Sequence, residues 1–124
     1  MKKLFVAFLT LLSLSCPVFA ADWYYLGNSN SGQQYYIDNS SVEKNAEVAF
    51  VWCKIINTDG SFSVVRYAFI RKGKLVATLS TSIYDANGNY ISSDNVPLNP
   101  YTLHWKSIPP ETAGESIYYS IWPD

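Results

Sequence analysis

The sequence predicts an α+β fold: a meandering antiparallel β-sheet of five or six strands with one C-terminal α-helix packed on it. Three observations carry this. Glu47 to Ile70 holds two apolar, β-branched and aromatic arms around an Asn57-Thr58-Asp59-Gly60 turn, the pattern of a central hairpin. Lys74 to Tyr84 alternates with period two. Thr112-Ala113-Gly114-Glu115, just after Pro109-Pro110, is a capping box that opens a helix.

Taken in order, the first twenty residues read as a leader rather than as part of the fold. Lys2 and Lys3 give a positive start, Leu4 to Leu14 is apolar, and Val18-Phe19-Ala20 fits the small-x-small cleavage rule, with Ala21 the first mature residue. The apolar run is shorter than the ~20 residues of a membrane-spanning helix, so no integral span is expected after cleavage. An uncut anchor and a lipoprotein linked through Cys16 are the competing readings; Ser13 stands where a lipobox wants an aliphatic residue. Residues 21–124 are then one domain.

The first strand is read at Asp22-Trp23-Tyr24-Tyr25-Leu26 and the second at Gln33-Gln34-Tyr35-Tyr36-Ile37, with Gly27 to Gly32 as their turn. Asp38 stops the hairpin by accepting backbone bonds, and Lys44-Asn45-Ala46 turns the chain into the central pair. The arm Val48 to Ile56 is apolar on both faces, which predicts cover, or near cover, on both sides. Trp52 is then a core residue, and Trp52→Ala is expected to cost about 3–5 kcal/mol by leaving a cavity.

Arg71-Lys72-Gly73-Lys74 is a charged turn. In the next strand Leu75, Ala77, Leu79, Thr81 and Ile83 fall on one face, expected to be the core side. Tyr84 to Tyr90 turns, Ile91-Ser92-Ser93 begins a short last strand, and Asp94 to Pro100 is a loop. Leu103 to Ile108 is extended. The helix runs about ten residues from Thr112 and puts Ile117, Tyr118 and Ile121 on one face. A helix this short needs that stripe docked on the sheet. A further strand is the alternative, since Ile-Tyr-Tyr-Ser-Ile also suits β structure.

Loss of the leader leaves seven basic against ten acidic side chains, a net charge of −3. Nucleic acid and anionic membrane surfaces are therefore not expected as partners. Cys53 is the single cysteine outside the leader and His104 the single histidine. Cys53 lies in the most apolar strand and is expected to be buried. No Gly-x-Ser-x-Gly elbow and no zinc-type ligand spacing occurs, and no carboxylate pair stands out. Asp85-Ala86-Asn87-Gly88-Asn89 lacks the glycine and glutamate positions of a calcium loop and reads as a turn. A Cys53–His104 pair is the enzyme reading that remains, and no cofactor is expected.

Tyr24-Tyr25 and Tyr118-Tyr119 are adjacent aromatic pairs that cannot both face inward along an extended strand. They are the candidate binding surface if the domain takes a small ligand or glycan.

Several stretches together resemble the surface-adhesin protein E-like family of small exported bacterial proteins. They are Trp23, Tyr35-Tyr36-Ile37-Asp38-Asn39-Ser40-Ser41-Val42, Val51-Trp52-Cys53-Lys54, Tyr84 to Asn89, Trp105-Lys106-Ser107-Ile108-Pro109 and Gly114-Glu115-Ser116-Ile117-Tyr118. The resemblance covers nearly all of residues 21–124. It implies an antiparallel sheet with a docked C-terminal helix, export to the periplasm or cell surface, and adhesion to host or matrix proteins. The family often tethers helix to sheet through cysteines; here only Cys53 is available, so docking is expected to rely on Ile117, Ile121 and Trp122. The functional expectation is an exported, non-enzymatic, adhesin-like interaction module. The alternative is a periplasmic domain for a small ligand or glycan.

Overall fold

The computed structural model describes residues 21–97, 99 and 102–123. The expected leader, with Ala20 of its cleavage site, lies outside the described residues, and Ala21 is the first of them. The strands are β1 (Trp23–Asn28), β2 (Gln34–Asp38), β3 (Glu43–Lys44), β4 (Val48–Ile56), β5 (Phe62–Ile70), β6 (Leu75–Tyr84), β7 (Tyr90–Asn95) and β8 (Lys106–Ser107), followed by helix α1 (Ala113–Ile121). The spatial order β1-β2-β4-β5-β6-β7 follows chain order, as a meander must, while β3 pairs with β4 and β8 with β6. The fold class is as expected. The strand count is corrected from five or six to eight among the described residues. The additions, β3 and β8, are two-residue strands, too short to leave a period-two trace.

The β4–β5 pair runs in unbroken register from Val48 opposite Ile70 to Ile56 opposite Phe62. Its turn is built like those of β1–β2 and β6–β7. In each, a glycine amide donates back three residues (Gly32 to Ser29, Gly60 to Asn57, Gly88 to Asp85), and the glycine itself is left-handed at φ 90°, 89° and 85°. This is a type I turn closed by a glycine bulge, which gives the two strands their native twist. The three turns also lie side by side. A Cβ on Gly32 would come within 2.9 Å of Thr58 Cγ2, and one on Gly60 within 3.3 Å of Ala86 Cβ.

Alternation divides the sheet into two unlike faces. Ala49, Val51 and Cys53 of β4, with Ile37 and Phe69, are buried against Ile117, Tyr118, Ile121 and Trp122. Phe50, Trp52, Lys54 and Ile56 point the other way and are only half-buried. The second face of β4 is thus partly covered: Phe50 packs beside a second buried cluster, while Trp52 and Lys54 stay half-buried. The described helix covers one face; on the other, among the described residues, Val96, Leu103 and Trp105 pack near Ala68, Ala77 and Leu79. Trp52 is therefore no core residue, and Phe69, fully buried, takes that place.

The β6 alternation is also corrected. Tyr67 pairs with Thr78 and Arg66 with Ser80, so Leu79 is the extra residue of a bulge. Leu79 stays with Ala77 on the helix-free side, but Thr81 and Ile83 are shifted to the opposite face.

The helix begins as its capping box requires, with one change of partner. Thr112 Oγ1 accepts from the Glu115 amide at 3.3 Å, but Glu115 Oε1 accepts from the Glu111 amide rather than from Thr112. Docking combines the apolar stripe with polar fastenings at both ends. Lys74 Nζ donates to Glu115 Oε2, Tyr118 Oη to the Arg71 carbonyl, and Trp122 Nε1 to the Asn45 carbonyl. Lys44 Nζ donates to the carbonyl of Ile121, closing the C-terminal end. Cations at that end suit the negative pole of the helix.

Candidate functional site

The helix-free face carries an unusual set of side chains for a sheet surface. The period of two that buries Ala49, Val51 and Cys53 places Phe50, Trp52 and Lys54 outward, and β5 aligns Ala68, Arg66 and Val64 beside them. Register brings Tyr25 and Tyr36 to the same side, their ring centroids 5.4 Å apart. At the far end Phe62 and Tyr84 stack at 4.8 Å with planes 13° apart, and Tyr84 meets Tyr90 edge-on at 5.9 Å.

Two cations lie among these rings. Lys54 Nζ is 4.4 Å from the Phe62 ring centre and 5.8 Å from that of Trp23. Arg66 Cζ is 5.4 Å from the Phe50 ring and 5.8 Å from Trp52. Such contacts attract through the ring quadrupole and orient the guanidinium plane.

Arg66 is under-used by its own chain. Its Nε is buried and has no hydrogen-bond partner among the described residues. Its nearest acid, Glu43, lies 4.0 Å from Nη2, too far for a hydrogen bond, and the Glu43 side chain is 73 % exposed. An exposed pair of this kind contributes about 0–1 kcal/mol, whereas a buried unmet donor costs about 1–3 kcal/mol. Nε itself is covered, but the side chain is 37 % exposed, so part of it is open to an acceptor from the groove.

Around Arg66 the face dips into an open groove of about 350 Å³, lined by Glu43, Phe50, Trp52, Leu79, Ser80 and Asn95 among others. Flat apolar walls with a few polar groups at the rim are the usual make-up of a small-ligand site. A larger groove of about 470 Å³ lies between the β1–β2 turn and the start of α1. Two of its hydroxyls already serve neighbouring backbone: Ser29 Oγ accepts from the Gln33 amide, and Thr112 Oγ1 from that of Glu115. The smaller groove is the candidate site because it alone of the two contains an unmet buried donor.

The tyrosines expected to form a surface do not assemble. Tyr24 pairs with Ile37 and so lies on the helix side of β1, whereas Tyr25 pairs with Tyr36 on the other side. Tyr118 is 8 % exposed and packs edge-on against Trp122 at 5.3 Å, so it belongs to the core. Tyr119 is exposed and accepts a hydrogen bond from Lys74. The dyad period of β1 and the helical period of α1 separate neighbours that sequence places side by side. Of the four, Tyr25 alone stands on the helix-free face.

Cys53 is buried among the residues under the helix, and burial pushes its thiol up to about 12. His104 is exposed, between Leu103 and Trp105, which pack on the opposite face. Cys53 is thus enclosed beneath the helix while His104 is open to solvent, so the two do not share one exposed point. Asp85 spends its carboxylate on the turn, accepting from the amides of Asn87 and Asn89 and from the Asn89 side chain. These bonds hold it ionised below its ordinary range. Among the described residues no group of three or more His, Cys, Asp or Glu side chains could hold a metal.

Lys54 and Arg66 were missed in the sequence. The available signal was a single cation in the middle of each apolar arm: Lys54 between Cys53 and Ile55, Arg66 between Val65 and Tyr67. A charge at such a position needs either a partner or an open face.

The chain was compared with family models, with curated proteins and with solved structures, and none matches. Among the described residues no helix is long and apolar enough to cross a membrane.

Proposed function

We propose that residues 21–124 are an exported binding module of the bacterial envelope, which takes a small ligand or glycan on the helix-free face of the sheet and performs no catalysis. The observation that carries this is Arg66: a cation stacked on Phe50 and Trp52 at an open groove, with its buried Nε unpartnered. Export rests on the leader-like residues 1–20. Binding rather than catalysis rests on the burial of Cys53 while His104 is exposed, and on the elevated thiol pKa.

The adhesin-like reading is the second. It rests on the resemblance and on the breadth of the aromatic face, which runs from Tyr25 on β1 to Tyr90 on β7. A stable protein partner needs about 800 Å² on each side, an area that only a broad face could supply.

A panel of immobilised glycans and matrix proteins, probed with the mature domain and with Trp52→Ala and Arg66→Gln, tests both readings. Saturable glycan binding that both variants lose, and that Tyr119→Ser keeps, is the expected result. Binding to matrix proteins alone would favour the adhesin reading. Binding untouched by either face variant would remove the site from this face. Cell fractionation with protease accessibility on whole cells tests export: the tagged protein is expected outside the cytoplasm, and cytoplasmic recovery would overturn that part.

A further inference from the structure

We infer that the groove at Phe50, Trp52 and Arg66 recognises a carboxylate-bearing sugar ring. This rests on the reading of the helix-free face as a ligand site and adds the chemical class of its ligand. The guanidinium carries its donors in a planar fork, and that fork matches a carboxylate through two parallel hydrogen bonds. Phe50 and Trp52 stand 5.4 and 5.8 Å from Cζ, and these contacts favour a guanidinium already held beside the rings.

The rest of the groove suits a saccharide better than a simple acid. Phe50 and Trp52 offer flat apolar surface for the C–H face of a pyranose. Ser80 and Asn95 stand on paired positions of β6 and β7 at the same groove and supply both donors and acceptors for hydroxyl groups. A groove of about 350 Å³ lies near the lower end of the range for small-ligand sites, ~300–1,000 Å³.

Charge narrows the class further. The net charge of residues 21–124 is −3, and Glu43 stands beside Arg66. A densely charged polyanion is repelled by that background, whereas one carboxylate needs only to replace Glu43 at the guanidinium. Glu43 is loosely held at 4.0 Å and can swing away. In the free protein it acts as the weak internal occupant of the anion position.

Calorimetric titration of the mature domain with trigalacturonate and with its methyl ester tests the inference. The two probes share rings and hydroxyls and differ in the charged carboxylate. The acid form is expected to bind about tenfold or more tightly than the ester, the difference one lost charge-assisted pair makes. Arg66→Lys, which keeps the charge but not the fork, is expected to weaken the acid form by about tenfold and to leave the ester unchanged. Glu43→Gln, at a side chain that is 73 % exposed, is expected to tighten the acid form. Equal affinity for acid and ester, or an acid affinity unmoved by both Arg66→Lys and Glu43→Gln, overturns carboxylate recognition. If neutral glycans bind in a Trp52-dependent way and trigalacturonate does not, this inference fails while the face remains the binding site. If the Trp52 and Arg66 variants bind every saccharide as the wild type does, both fail.

Discussion

Lys74 Nζ lies 3.0 Å from Glu115 Oε2, so the turn between β5 and β6 is fastened to the first turn of α1. The same ammonium lies 3.0 Å from Tyr119 Oη, and the Lys74 carbonyl accepts from the Ile108 amide at 2.9 Å. One residue thus ties three segments together, with Cys53 a free thiol among the described residues.

The pair makes helix docking depend on pH at both ends of the scale. Bonds from the Glu111 amide and from Lys74 lower the pKa of Glu115 below its ordinary 4.5, so its contribution is present above that value and is lost as pH falls through the lowered one. The bonds to Tyr119 and Glu115 raise Lys74 above 10.5; its contribution is present below 10.5 and lost as pH rises through the raised value. Melting curves of wild type and Glu115→Gln are expected to differ at neutral pH and to converge in acid. Equal melting temperatures at neutral pH would remove the fastening.

Cys53 adds a second alkaline effect. Burial lifts its pKa from 9.0 to about 12, so the folded state keeps a proton that the unfolded state gives up. Stability is then complete below pH 9.0 and falls between there and about 12. The slope approaches about 1.4 kcal/mol per pH unit. Denaturant titrations at alkaline pH are expected to show a shallower decline in Cys53→Ala than in wild type. The native thiol is expected to resist disulfide reagents until guanidinium unfolds the chain.

The two faces of β4 and β5 should respond differently to truncation. Phe69→Ala removes a fully buried ring beneath the helix and is expected to cost about 3–5 kcal/mol. Trp52→Ala opens a surface that is already a groove and leaves no enclosed cavity, so about 1–2 kcal/mol is expected, part of the full-burial value. Urea midpoints for the two variants check this. A Trp52→Ala loss as large as that of Phe69→Ala would place Trp52 in the core after all.

Two of the glycine turns can be separated by their surroundings. Gly88→Ala meets nothing within 4 Å and bears only the left-handed backbone penalty, about 1–2 kcal/mol. Gly32→Ala bears that and a 2.9 Å approach to Thr58 Cγ2. Thr58→Ser removes the opposing methyl and is expected to recover the steric part in a double-mutant cycle. An additive cycle would show that the two turns do not touch.

The sheet was legible where residues act through neighbours in sequence. Asp59-Gly60 and Asn87-Gly88 mark turns because a left-handed residue is needed there, and Thr112 with Glu115 marks the helix start through bonds three residues apart. Cys53 was readable as buried from the apolar run around it. What failed depended on register or on cover. The bulge at Leu79 is set by the partner strand, so an alternation read along β6 alone carries on past it. Trp52 and Val51 look equally apolar, and the docking of α1 on one side decides which is buried. Tyr118 and Tyr119 are adjacent, yet a turn of 3.6 residues sends one into the core and one to Lys74. The groove was illegible for the same reason: Phe50, Trp52, Arg66 and Asn95 meet only once three hairpins are paired.

The location of the binding surface is tested most directly by amide chemical-shift mapping on the ¹⁵N-labelled mature domain, titrated with whichever glycan the panel retains. Shifts are expected to concentrate at Phe50, Trp52, Lys54, Arg66, Ser80 and Asn95, with the helix amides from Glu115 to Ser120 unmoved. Shifts confined to the helix, or to the groove between Leu26 and Thr112, would contradict a ligand site on the helix-free face.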